Sequence, residues 1–312
     1  MKIFNWVTKD TNIDFMKARK IAYAASIIMV LLSCYFMIFK GFNYGIDFSG
    51  GILMEVKSEH KIDANEVRKQ LSGIGLDELT LQTIGENGDE MQIRTQTDDN
   101  SEDAQRIAIV KIKEALGSGY EYRRVESVGP QVGDELKRAG VVASLIAILA
   151  ICAYIWFRFE WQFAFGALVG LFHDVLITVG LLSLFNFDIS LTTVAAVLTL
   201  AGYSVNDKVV TYDRIRENLR KYKKMSQYDL LNKSVNDILS RTILTGLTTI
   251  FASAALFVFG GEALRSFSFT ILWGVIIGTY SSVYIASAVL NLFDLRKTQE
   301  AREKDVNPFG NV

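Results

Sequence analysis

Ala201-Gly202-Tyr203-Ser204-Val205-Asn206-Asp207-Lys208-Val209-Val210-Thr211-Tyr212-Asp213-Arg214-Ile215-Arg216-Glu217-Asn218 closes an apolar run that begins near Leu191. Asn206 and Asp207 therefore fall inside a stretch that reads as a membrane-spanning helix. A carboxylate at that depth costs about 2.5–3.5 kcal/mol on insertion scales unless it is protonated, paired or hydrated. An ionisable residue in such a place points to function, and the search for its partner organises the rest of the chain.

Working outward, apolar residues gather into six blocks, at 21–39, 140–157, 163–184, 191–210, 243–259 and 267–292. Each approaches or exceeds the ~20 residues that a helix needs to cross a ~30 Å hydrocarbon core. Half of the 312 residues are hydrophobic and only two are proline. The expected fold is an α-helical integral membrane protein with a six-helix bundle, which excludes a soluble enzyme. Block 21–39 is longer than a typical signal-peptide core and no A-x-A site follows it, so a retained first span is expected. Cys34 and Cys152 lie in apolar blocks and read as small core residues rather than a disulfide.

The net charge of −1 hides an asymmetry. Lys2, Lys9, Lys17, Arg19 and Lys20 precede the first span, a basic run including Arg214, Arg216 and Arg220–Lys224 follows the fourth, and Arg296, Lys297, Arg302 and Lys304 follow the last. The turns at Asn186-Phe187-Asp188 and Gly260–Arg265 carry a single Arg. The positive-inside rule then places both termini (1–20 and 293–312) and the loop 211–242 in the cytoplasm, and the segment 40–139 on the far side. The run Arg220–Lys224 reads first as a topology determinant, with anionic lipid or a cytoplasmic partner as the other reading.

The far-side segment opens on a glycine-rich loop, Gly41 to Gly51, in which Phe42, Tyr44, Ile46 and Phe48 alternate as though one face packs. Ile52–Lys57 reads as a strand and Asp63–Leu71 as a helix capped by Asp63. Leu79–Thr83 and Met91–Thr95 read as a hairpin about Gly85-Glu86-Asn87-Gly88. Ala104, Ala108, Ile112 and Leu116 recur at helical spacing within Ser101–Leu116, and Tyr120–Val128 is a last strand closed by Gly129-Pro130. The order βαββαβ is that of a ferredoxin-like domain. It carries no metal-ligand cluster, phosphate loop or nucleophile–base pattern, so binding is expected of it rather than catalysis.

Inside the bundle, Gly166, Gly170, Asp174 and Thr178 form a stripe of small or polar residues on span three, and Gly274, Gly278, Ser282 and Ala286 one on span six. Such stripes let helix backbones approach. Asp207 shares a face with Tyr203, Val210 or Thr211, and Arg214, while Arg241 heads a face of span five with Thr245, Thr248 or Thr249, Ala252 and Ala255. Both positions lie toward the same end of their helices, so an Asp207–Arg241 pair is allowed. An arginine stays protonated, and any proton that binds and leaves must be carried by the carboxylate. A static pair that fixes helix register, or an Arg241 that snorkels to the headgroups, remains equally open at this point. Asp174 is expected inside the bundle. His173 reads as a helix contact rather than a metal ligand, and Asp213 with Arg216 or Glu217 with Arg214 as i,i+3 pairs at the membrane edge.

Four motifs together resemble one family. Gly45-Ile46-Asp47-Phe48-Ser49-Gly50-Gly51, Val128-Gly129-Pro130-Gln131-Val132-Gly133, the Gly202–Asp207 stretch with Asp213–Asn218, and Ser240-Arg241-Thr242 with its threonines resemble, in order, the motifs of the SecD/SecF proteins, on the SecF side. The resemblance marks Asp47, Gly50, Gly51, Gly129, Pro130, Asp213 and Arg214 as family motif positions. It implies a subunit of the bacterial Sec export apparatus in the cytoplasmic (inner) membrane, with six spans forming half of a resistance-nodulation-division-type unit and SecD supplying the other half. SecD, the SecYEG channel, precursor polypeptides and lipid are the implied partners, with no nucleic acid and no cofactor. It also makes Asp207 and Arg241 the coupling residues, supported by Asn206, Gly202, Thr245, Thr248, Thr249 and Asp174, with protons as the coupling ion and sodium not excluded. Lys208 departs from the pattern, since relatives commonly carry Thr there. It points about 100° from Asp207, so no direct pairing between the two is expected. A homodimeric proton-coupled efflux transporter and a non-coupling scaffold are the competing readings.

Overall fold

The structure, a computed structural model, describes residues 11–74, 76–85, 87–96 and 102–296. Lys2 and Lys9, Glu86 of the expected turn, Ser101, and Lys297, Arg302 and Lys304 lie outside them. In chain order the elements are α1 (Arg19–Phe39), β1 (Asn43–Tyr44), α2 (Ile46–Ser49), β2 (Gly51–Ser58), α3 (Ala64–Leu71), β3 (Asp77–Ile84), β4 (Glu90–Gln96), α4 (Glu102–Leu116), β5 (Tyr120–Val128), α5 (Pro130–Arg158), α6 (Trp161–Leu184), β6 (Asp188–Ile189), α7 (Leu191–Lys221), α8 (Gln227–Phe259) and α9 (Gly261–Ser281). A π-helical turn, Ser282–Ala286, and short helical turns to Leu292 follow α9. The chain divides into two compact units, one of residues 43–143 with 188–191 and one of the remainder.

In the first unit, β2 lies between β4 and β5 and β3 flanks β4, all antiparallel, giving the order β3-β4-β2-β5. Period-two alternation explains the register. Ile52, Met54 and Val56 of β2 stand opposite Thr95, Ile93 and Met91 of β4, and all but Thr95 join the buried apolar cluster. Val67 and Leu71 of α3 and Ala108, Ile112 and Leu116 of α4 complete this core, as the helical spacing predicted. Asp63 caps α3, its carboxylate accepting from the Asn65 amide at 2.8 Å.

The glycine-rich entry is built differently from its expected alternation. Tyr44 is exposed in the short β1, while Ile46 and Phe48 are buried in the single turn α2. Gly51 has φ +109° and a Cβ there would lie 2.7 Å from the Thr95 carbonyl, so no other residue fits. Asp188, expected in a plain turn, instead begins β6, which pairs in parallel with β1. Arg94 fastens the pair by donating to Asp188 Oδ2 at 2.6 Å and Asn43 Oδ1 at 3.1 Å. Two residues are too few to show periodicity, so this pairing is invisible in the sequence.

Among the described residues, five helices are long and apolar enough to cross a membrane: Met16–Phe39, Pro130–Arg158, Trp161–Leu184, Gln227–Phe259 and Gly261–Leu292. Of the six expected spans, 191–210 is helical within α7 but outside this set, because polar residues from Tyr203 to Lys208 interrupt its apolar run. Span two starts earlier than expected. Pro130 opens α5 as a first helical residue, where its missing N–H costs nothing.

The expected loop 211–242 is helical except for a turn at 222–226, beyond which Ser226 caps α8. Ion pairs account for that. Arg214 binds Glu217 at 2.7 Å along α7 and Asp237 at 2.8 Å on α8, and Lys233 binds Asp237 at 3.2 Å. Beneath them Tyr212, Ile215, Leu219, Leu230, Leu231 and Val235 pack as one apolar cluster. Cys34 and Cys152 are free and half-buried rather than deep in the core.

Candidate functional site

Helices α6, α7 and α9 bring four polar side chains to one dry point. Asp174 on α6 and Lys208 on α7 are both 0 % exposed and pair at 2.7 Å. The Lys208 ammonium also donates to Ser204 Oγ at 2.6 Å and Ser281 Oγ at 2.9 Å, which uses its three protons. Both hydroxyls donate in turn to Asp174 Oδ2, at 2.5 and 2.7 Å. The other carboxylate oxygen, Oδ1, meets His173 Nδ1 at 2.8 Å. His173 thus fixes the carboxylate, beyond the helix contact expected of it.

Local sequence explains how a lysine reaches so deep. Ser204 and Lys208 are four residues apart and share one helical face. Gly170, expected as a backbone-approach position, lies where a Cβ would overlap Lys208 Cε, so its absent side chain makes room for the lysine stem. Gly278 of the span-six stripe similarly faces Asp174 Oδ2. Just beyond Ser281 the helix turns π-helical, a change of hydrogen bonding frequent at functional positions.

Asp207 sits one residue away on a different face and in a different condition. Its Oδ1 accepts from Thr242 Oγ1 at 3.1 Å, while Oδ2 is buried with no hydrogen-bond partner among the described residues. It lines a small cleft with Thr211, Leu239, Thr242 and Ser282. Arg241 does not meet it: the arginine is exposed, pointing off α8 although its neighbour Thr242 is the residue that touches Asp207. The face expected below Arg241 is open as well. Thr245 and Thr248 are exposed and Thr249 half-buried, and their hydroxyls donate to carbonyls of their own helix at 2.9–3.1 Å. On α7, Gly202 and Asn206 are exposed.

The remaining motif positions act as fasteners. Asp47 Oδ2, in the single turn α2, accepts from the Leu191 amide at 2.9 Å at the start of α7. Gly50 (φ +70°) packs on Pro130, and the Gly133 amide donates to the Gly129 carbonyl at 2.9 Å. Asp213 pairs with Arg158 at 3.0 Å and with Arg216 at 3.7 Å, and Arg214 pairs with Glu217 as the i,i+3 spacing predicted. Among the described residues no cluster of three or more His, Cys, Asp or Glu could hold a metal.

The sequence reading missed the Lys208–Asp174 pair and its serines. Helical spacing did carry a signal, since Ser204 and Lys208 share one face and Asp174 shares another with Gly170. What spacing does not say is which face meets which.

The family described as protein export membrane protein SecD/SecF, C-terminal, matches residues 108–296, and the SecD/SecF GG motif matches residues 35–62, which hold Gly50 and Gly51. Protein translocase subunit SecF of Rickettsia rickettsii (strain Sheila Smith) is 48 % identical over 288 residues, covering 91 % of this chain and 92 % of its own. The chain belongs to the SecF family. Its SecF relative in Rickettsia bellii (strain OSU 85-389) is 45 % identical over 289 residues, covering 92 % of this chain and 95 % of its own. Among solved structures, SecDF from Thermus thermophilus, a translocon-associated membrane protein, is 34 % identical with a TM-score of 0.82 over 91 % of this chain. A SecDF structure in a super-membrane-facing form is 35 % identical with a TM-score of 0.67 over 94 % of it. This chain spans about two-fifths of those longer chains, 39 % and 40 %. Family membership and the spanning helices make it a multi-pass membrane subunit of a protein translocase.

Proposed function

We propose that this subunit works with SecD in the bacterial cytoplasmic membrane, both termini in the cytoplasm, and couples the proton gradient to late steps of precursor translocation through SecYEG. The observation that carries the proposal is the unpartnered carboxylate oxygen of Asp207 within a spanning bundle, beside a helix whose Arg241 is exposed. A half-buried carboxylate with one buried, unsatisfied oxygen is poised either to hold a proton or to receive a cation. Arg241 is separated from it by one position on α8. Movement of α8 relative to α7 would bring the guanidinium to the carboxylate and expel the proton, and reversal would let it load again. Asp207 carries the charge change in this scheme, and Arg241 never titrates.

Polar exposure supports a protein neighbour. Arg241, Thr245, Thr248 and Asn206 are exposed on helices that would face lipid, which is costly unless another bundle covers them. SecD, the other part of the SecDF chains that this chain resembles, is the cover proposed. In this reading α7 is the fourth span and brings the number to six, and the β3-β4-β2-β5 unit is a ferredoxin-like domain on the far side that moves as the carboxylate cycles.

The test is depletion and complementation. Cells lacking the chain should accumulate precursor, recover export when it is restored, and yield it in complex with SecD. Recovery solely as a homodimer, with export unaffected by its loss, would contradict the proposal.

A further inference from the structure

The environment of the Lys208 ammonium has the make-up of a cation-binding site. Asp174 Oδ2, Ser204 Oγ and Ser281 Oγ lie 2.7, 2.6 and 2.9 Å from Nζ, with the Ser204 carbonyl at 3.4 Å. All of these residues are fully buried. The donors are oxygens and carry a single negative charge among them, a set suited to a hard monovalent cation rather than to a soft metal. His173 holds the carboxylate from its other oxygen, so the cradle is fixed independently of what occupies it. The lysine stem reaches it past Gly170.

We infer that Asp174, Ser204 and Ser281 form a monovalent-cation site whose occupant in this chain is the protein's own Lys208 ammonium. The tethered charge neutralises Asp174 without any ion from solution. With Lys208 shortened, the cradle would keep its carboxylate and hydroxyls and gain the volume that the ammonium filled. A buried unpaired carboxylate must then either protonate or take up a free cation, and the three oxygens favour the cation. The inference is independent of proton coupling at Asp207, which lies on another face and bonds Thr242.

The test is thermal unfolding of the full chain in detergent, in sodium chloride and in choline chloride at equal concentration and neutral pH. The wild type should unfold at the same temperature in both. Lys208→Ala should unfold earlier in choline and recover saturably with sodium, by about 5–10 °C at ~100-fold excess over its Kd. Lys208→Ala combined with Asp174→Asn should lose the sodium response. The inference is overturned if Lys208→Ala recovers on acidification but not with sodium, or if the double variant still responds to sodium. A wild type stabilised by sodium over choline, with the response kept in Asp207→Asn, would overturn it as well.

Discussion

Asp174 and Asp207 are two carboxylates in one helical bundle, and their surroundings differ. Asp174 receives four partners, from Lys208, Ser204, Ser281 and His173. Among the described residues Asp207 receives one side-chain partner, Thr242, and leaves an oxygen unsatisfied. A saturated buried ion pair resists change, because moving either partner strands a charge. A carboxylate with a single neutral donor has little to lose when its protonation or its partner changes. The comparison assigns architecture to the first and work to the second, although Lys208 and Asp207 are adjacent in sequence.

The largest effect should come from breaking the saturated pair. Lys208→Ala in sodium-free solution should destabilise the chain by about 3–5 kcal/mol, the usual result of removing one partner of a buried pair. Denaturation in detergent would show it, and a loss below ~1 kcal/mol would mean that Asp174 is not held by Lys208. Gly170→Ala should come next, at about 1–3 kcal/mol, because the added methyl overlaps the lysine stem. Its effect should shrink in a Lys208→Ala background, which a double-mutant cycle would measure. A smaller change is expected at the other carboxylate. Thr242→Val removes the side-chain hydrogen bond to Asp207 at nearly constant shape, for about 1 kcal/mol.

The smallest effect lies in the α/β unit. Hydrogen bonding from Lys57 holds the Asp89 carboxyl below the ordinary carboxylate range, with the pair at 3.2 Å. A depressed carboxylate adds stability above its unfolded value, about 3.9, and loses that contribution as pH falls through the folded value. Asp89→Asn should therefore lower stability slightly at neutral pH, the difference from the wild type vanishing as pH falls below the folded value, whereas a loss that persists undiminished in acid would contradict the assignment.

Much of this architecture was legible in the sequence. Asp63 announced a helix cap, Ile52–Lys57 a strand, and five of the six apolar blocks helices able to span. These signals are local, and local chemistry settles them. The β1–β6 pairing joins Asn43 to Asp188 across 145 residues through two-residue strands, below the length at which alternation can be seen. The helical ends of α7 and α8 were read as loop because charge was weighed as topology, although Arg214, Lys233 and Asp237 stand at spacings that join two helices. The site was legible by halves. Asp207 and Asp174 were picked out as ionisable residues at membrane depth, but their partners depend on which helix faces meet. Helix level and the family resemblance both match Asp207 to Arg241, and it faces Thr242. Lys208 points away from Asp207, and that same turn of the helix carries it to Asp174.

The most direct test of the account is precursor export in cells carrying Asp207→Asn, with and without a proton gradient, and with chain level and SecD association checked. The substitution keeps the side chain's size and the contact to Thr242 while removing the group that titrates. The account predicts normal accumulation and association, with export reduced to the level seen when the gradient is collapsed. Export that remains normal and still responds to the gradient would contradict it.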